Sequence, residues 1–202
     1  MAADIDIINA GLSKLGEQAI LAVTDPSPPG RLANRTYADI RDALLREFPW
    51  NFATKRASLA ADPVAPEWGF TTKYNLPGDC LRLVEINNLG DDDWRNEGRT
   101  IVTNKEAPLE IIYVGSAAVD VMDATFREAL AARLAMEWAE PLSQTSSVVA
   151  AMSTLYRNKL RVARVADGQE DSTREVVAAS FIESRFHGSG IRTPPPGSGT
   201  PL

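Results

Sequence analysis

The sequence predicts an α+β fold: a four-helix bundle with an inserted small antiparallel β-sheet and an extended C-terminal arm. Three observations carry that expectation. Apolar residues recur at helical spacing both before residue 49 and between residues 120 and 167. Between those stretches the period shortens toward two, with turn residues separating short runs. The end of the chain, GSGIRTPPPGSGTPL (188–202), holds four prolines and four glycines, a composition that cannot build a packed core by itself.

DIDIINAGLSKLG (4–16) reads as the first helix, with Ile5, Ile8, Leu12 and Leu15 on one face, Asp4 as the cap and Gly16 as the stop. The prolines of TDPSPPG (24–30) interrupt helical structure and prepare the next start, where Ser27 caps and Pro28 or Pro29 opens the helix. The second helix presents Leu32, Tyr37, Ile40, Leu44 and Phe48, and ends there because Pro49 disfavours helical geometry in the residue before it. Strand candidates follow at Trp50–Leu59, Phe70–Leu76, Leu81–Asn87, Arg99–Asn104 and Leu109–Val114. The turn residues Pro77-Gly78-Asp79, Leu89-Gly90-Asp91 and Ala107-Pro108 lie between them. Phe126, Leu130, Leu134 and Trp138 form the stripe of a third helix, Asp120 to Ala139, stopped by Pro141. A fourth runs from about Ser143 to Asp167, with Val148, Met152, Leu155, Val162 and Val165 apolar. The expected domains are residues 1–49 with 116–167 as the helical bundle, 50–115 as the inserted β-rich domain and 168–202 as the arm.

Composition narrows the chemistry. The 202 residues include one cysteine, Cys80, and one histidine, His187, so an intrachain disulfide is impossible and a Cys/His zinc site lacks ligands. A Ser-His-Asp triad would have to use His187, which lies in a glycine-rich tail. The net charge of −6 argues against a general polyanion binder, although a local basic face could still meet DNA. No apolar run approaches a membrane span, and MAADIDIINAG has no signal-peptide pattern, so assembly in the cytoplasm without a membrane is expected.

Motifs for nucleotide chemistry are missing: there is no P-loop, and Gly188-x-Gly190 lacks the third glycine and the strand–turn–helix context of a dinucleotide site. The acidic stretch GDDDWRNEG (90–98) fails the calcium-loop spacing, with Arg95, Asn96 and Val102 where an oxygen ligand, a glycine and a glutamate are needed, and reads as a solvated hairpin loop. No catalytic residue, cofactor or metal is expected. Glu137 and Glu140 read as ordinary surface acids rather than the opposed pair a glycosidase needs. Arg157, Arg161 and Arg164 share one face of the fourth helix. A solvated face is the plain reading; a sharper one is an interface or channel surface, facing DNA or acids such as Asp123, Glu128, Glu137 and Glu140 of the third helix in a neighbouring subunit.

The stretches GLSKLGEQAI, YADIRDALLREFPWNFATKRASLA and WGFTTKYNLPGDCLRLVEI closely resemble the tail tubular protein A family of short-tailed bacteriophages, the head-to-tail adaptor, connector or gatekeeper proteins. The run R-D-x-x-L-R-x-x-P-W-N-F-A-x-x-R-A-x-L-A is its most specific part. The resemblance covers residues 1–165 in order and continues loosely through AASFIESRF; the proline-rich end has no counterpart in it. It implies a structural protein, not an enzyme. Family members form a homo-oligomeric, dodecameric ring under the portal protein, extend the DNA channel and carry the tail nozzle, a tail tubular protein B-like partner, with tail fibre proteins as further neighbours. Genomic DNA passes through, and the location is the head–tail junction of the virion. Under this reading Phe48, Pro49, Trp50 and Phe52 form a hinge between bundle and sheet, pinned by buried aromatics, with Lys55 and Arg56 on the sheet's exposed side. Phe181, Ile182, Arg185 and Phe186 are candidates for a portal-binding arm. Two alternatives from other classes are a peptidoglycan-hydrolysing tail component and a DNA-binding module.

Overall fold

A computed structural model describes residues 3–90, 93–143 and 145–170. Four helices, α1 (Asp4–Lys14), α2 (Pro28–Glu47), α3 (Ala124–Ser143) and α4 (Ser146–Glu170), accompany six strands. These are β1 (Thr54–Leu59), β2 (Thr72–Asn75), β3 (Cys80–Ile86), β4 (Trp94–Glu97), β5 (Thr100–Thr103) and β6 (Leu109–Gly115).

Helix boundaries follow local chemistry. Asp4 does not cap α1; Ala3 occupies that position, and the Asp6 carboxylate accepts its N–H at 2.8 Å. Asp4 instead accepts the Tyr37 hydroxyl at 2.6 Å, tying α1 to α2. Gly16 does end the helix: at φ +77° it lets its own N–H reach Ser13 and that of Glu17 reach Leu12, closing a Schellman motif. Ser27 caps α2, its hydroxyl accepting the Gly30 N–H. Gly30 must lack a side chain, because a Cβ would lie 2.4 Å from the Asp25 carbonyl oxygen. Phe48 is extended, as Pro49 requires. Pro141 does not stop α3, which continues to Ser143. A proline so close to a helix end removes one hydrogen bond but leaves little helix beyond it to break. α4 extends through Glu170, so residues 168–170 are helical rather than part of an extended arm.

The α+β class holds, but the four-helix bundle with one inserted sheet does not. The strands form two three-stranded antiparallel sheets, β1-β6-β3 and β2-β5-β4. The helices do not share a common seam. α3 is the hub, with α4, α1 and α2 all packed on it, while α2 also packs on β3 and β6. In a bundle each helix buries one stripe. Here α3 buries Phe126, Ala129, Leu130, Ala131, Ala132, Leu134, Ala135, Trp138 and Ala139, which lie all around its axis. Its alanines permit that close enclosure. Gly11 of α1 shows the same tightness, since a Cβ there would come within 3.1 Å of the Leu134 Cβ. α1 is also short, 11 residues against 20, 20 and 25.

β6 separates two cores. Leu109, Ile111 and Tyr113 face one way and join Tyr74, Cys80, Ile86 and Ile101 between the sheets. Val114 faces the other way and joins the helical core with Trp50, Ala53 and Phe126. The missed strand is β4: the segment read as the far end of a solvated loop pairs Trp94–Glu97 with β5 through a turn at Gly98, φ +64°.

Candidate functional site

No group of three or more metal-ligating side chains occurs among the described residues. Two of the features singled out by the sequence, the Phe48–Phe52 corner and the α4 arginines, meet in one region, where the start of β1, the end of α2 and the face of α4 come together.

Trp50 is fully buried and Phe52 half-buried. Both rings meet Phe126 of α3 at 4.9 Å between centroids, edge to face. Phe48 meets Trp50 at 5.1 Å, and Trp50 stacks on Phe52 at 6.1 Å. Such geometries favour aromatic quadrupoles beyond simple area burial. The indole N–H donates to the Leu44 carbonyl at 3.2 Å, so burying it leaves no donor unpaired. Pro49 is half-buried at the corner.

Asn51 fastens this corner to α4. Its N–H donates to Asp167 Oδ1 at 2.9 Å, and its Nδ2 donates to the Asp167 carbonyl at 2.7 Å. Asp167 is buried. The sequence reading treated Asp167 only as a helix end and missed this role; a contact spanning 116 residues leaves no local signal. A second missed residue is Glu47. Its carboxylate lies 3.9 Å from Arg133 and 3.5 Å from Arg164, and accepts the Tyr156 hydroxyl at 3.4 Å. Burial, with Glu47 alongside, raises the Tyr156 phenol above its ordinary value and keeps it a neutral donor.

The three α4 arginines are exposed and sit together. Arg164 reaches Glu47 and lies over the Phe48 ring at 5.6 Å. Arg157 donates to Ser153 at 3.1 Å. Among the described residues Arg157 and Arg161 form no ion pair. With Phe48, Leu160 and Val165 the three arginines line an open groove of about 460 Å³. Val162 and Val165, expected on the apolar face of α4, are instead 48% and 55% exposed. The buried positions are Tyr156, Ala163 and Asp167, because α4 packs along α3 with small and hydrogen-bonded residues.

Other expected placements shift. Lys55 and Arg56 do not share an exposed side, since neighbours on a strand point oppositely. Lys55 is half-buried, reaching Asp79 at 2.7 Å and the Ser116 carbonyl at 2.9 Å, while Arg56 is exposed. The α3 acids are largely committed within the chain: Glu128 to Lys159 at 2.5 Å, Glu137 to Arg133 at 2.9 Å, and Asp123 to the start of its own helix. Phe181, Ile182, Arg185 and Phe186 lie outside the described residues.

No protein-family model matches the chain, and no curated protein does.

Proposed function

We propose that the chain is a structural head-to-tail adaptor of a short-tailed bacteriophage. In this reading copies of it form a ring beneath the portal, extend the DNA channel and provide the attachment platform for the tail nozzle. The observation that carries the proposal is the run from Arg41 to Ala60, whose resemblance to the adaptor family is specific over most of its positions. What those residues do physically supports it. Phe48, Trp50 and Phe52 set the corner between α2 and β1, and Asn51 ties that corner to α4. A load-transmitting ring subunit needs such a stiff corner, because force passed from one neighbour to another must not be absorbed by a loose joint.

The role is mechanical: side-by-side packing, lining of the channel and relay of symmetry from portal to tail. The basic groove of α4 suits contact with an acidic neighbour or with passing DNA. Residues 171–202, with Phe181, Ile182, Arg185 and Phe186, are proposed as the portal arm, binding through a few apolar anchors.

Native mass spectrometry of the chain with purified portal rings tests this. The expected result is a closed ring of copies on each portal. A chain that stays monomeric and binds no portal overturns the reading. Muralytic activity of the purified chain would favour the peptidoglycan-hydrolase alternative instead.

A further inference from the structure

The loop joining β1 and β2, AADPVAPEWGFT (60–71), exposes two large apolar residues, with Trp68 at 85% and Val64 at 65%. Single exposed apolar residues are ordinary. This loop differs because its base is fastened. Asp62 Oδ1 accepts the Val64 N–H at 2.9 Å, and Oδ2 accepts the Asn75 amide at 2.8 Å. The Asp62 N–H donates to the Lys73 carbonyl at 2.7 Å, and Ala61 bridges to Tyr74. Pro63 and Pro66 restrict the chain beyond, and Gly69 turns it at φ +86°. A fastened loop loses little further entropy when its tip is covered, which favours Trp68 as a binding anchor.

Elsewhere the same chain carries a surface of matching chemistry. The α4 groove has an apolar floor of Phe48, Leu160 and Val165 and a rim of Arg157, Arg161 and Arg164. An indole is suited to such a site, since its body fills the floor and its face attracts guanidinium groups. Glu67, next to Trp68, is exposed, and among the described residues neither it nor Arg157 nor Arg161 forms an ion pair. The α3 acids expected to meet these arginines in a neighbour are mostly committed already.

We infer that the Glu67-Trp68 loop tip of one copy docks into the Arg157–Val165 groove of α4 in a second copy, Trp68 on the apolar floor and Glu67 on the arginine rim. Two different patches meet, so the contact is heterologous and propagates from copy to copy until a ring closes. The inference rests on the ring reading above and identifies the surfaces that build the ring.

Charge exchange in the full-length chain tests it, with the assembled mass read by native mass spectrometry and self-association by sedimentation, alone and with portal rings. Trp68→Ala, Glu67→Arg and Arg161→Glu are each expected to weaken self-association by about tenfold or more. All three change exposed residues, and circular dichroism checks that the fold persists. The double variant Glu67→Arg/Arg161→Glu is expected to recover association, which a purely local effect of either change would not do. Single variants that assemble like the wild type overturn the contact and leave the ring reading standing. A wild-type chain that never assembles overturns both. If Arg161→Glu leaves self-association intact and weakens only salt-dependent binding to duplex DNA, the groove is a DNA surface and the contact falls. It also falls if that variant leaves association intact but alters proteolytic release of residues 171–202, which would seat this chain's own C-terminal segment there.

Discussion

Trp50 has no exposed surface, touches three other rings and uses its single polar atom in a hydrogen bond to Leu44. Removing it leaves a large cavity in the middle of the helical core. Trp50→Ala is therefore expected to cost about 3–5 kcal/mol in chemical denaturation. Phe52→Ala, at a half-buried position, is expected to cost less, about 1–3 kcal/mol. Equal losses for the two would show that solvent exposure does not rank them. Asp167 poses a different case, because its carboxylate satisfies the Asn51 N–H. Asp167→Ala leaves that part-buried donor without its acceptor and is expected to cost about 0.5–1.5 kcal/mol. Asp167→Asn retains an acceptor oxygen and is expected to lose clearly less. If both substitutions have the same effect on the denaturation midpoint, the hydrogen bond is not what holds the corner.

At the scale of elements, caps and close approaches decide where helices start and how they pack. Asp123 precedes α3 and accepts the Thr125 N–H at 2.7 Å. The Thr125 hydroxyl, opposed by partial burial and helped by the backbone N–H groups of the first turn, holds the Asp123 carboxyl below its usual 3.8. A carboxyl with a lowered folded-state value stabilises the fold above its unfolded value. That contribution is lost as the pH falls below 3.8 and through the lower folded value. Asp123→Asn is thus expected to flatten the decline of stability in that acid window, measured by urea titration at successive pH values. An unchanged acid slope would remove Asp123 from the account. The wide burial of α3, which leaves Glu128, Glu137 and Glu140 exposed, is the other decision made at this scale. Its run of alanines lets α1, α2 and α4 approach from different sides, which a bundle of stripe-on-stripe helices would not need.

For the whole molecule, β6 ties the helices to the sheets by giving one face to each core. The end of α2, the start of β1 and the last turns of α4 are then locked together through Glu47, Asn51 and Asp167. The arginine face of α4 lies on the outside of this locked region. Replacing Arg157, Arg161 and Arg164 together by Ala is expected to leave the monomer folded, with a loss within about 1 kcal/mol because the pairs involved are solvent-exposed. Ring assembly on portals or retention of DNA is expected to fail. A triple variant that assembles and retains DNA normally would make the face a solvated surface and nothing more.

Periodicity and stop residues were sufficient to read all four helices, the end of α2 at Phe48, the Gly16 stop and most strands, because each depends on residues adjacent in the chain. The Phe48–Phe52 corner was legible for the same reason: a proline and three aromatics stand together. β4 was hidden, since a four-residue strand of Trp, Arg, Asn and Glu has little apolar alternation and is held by its partner β5. Packing order was equally hidden. That α3 lies at the centre, that Val162 and Val165 face outward, and that Asp167 and Glu47 act as fasteners follow from which surfaces meet across long separations. Hydrophobic spacing marks a candidate apolar face, but whether that face is covered, and by what, is decided only when distant segments pack in the tertiary structure.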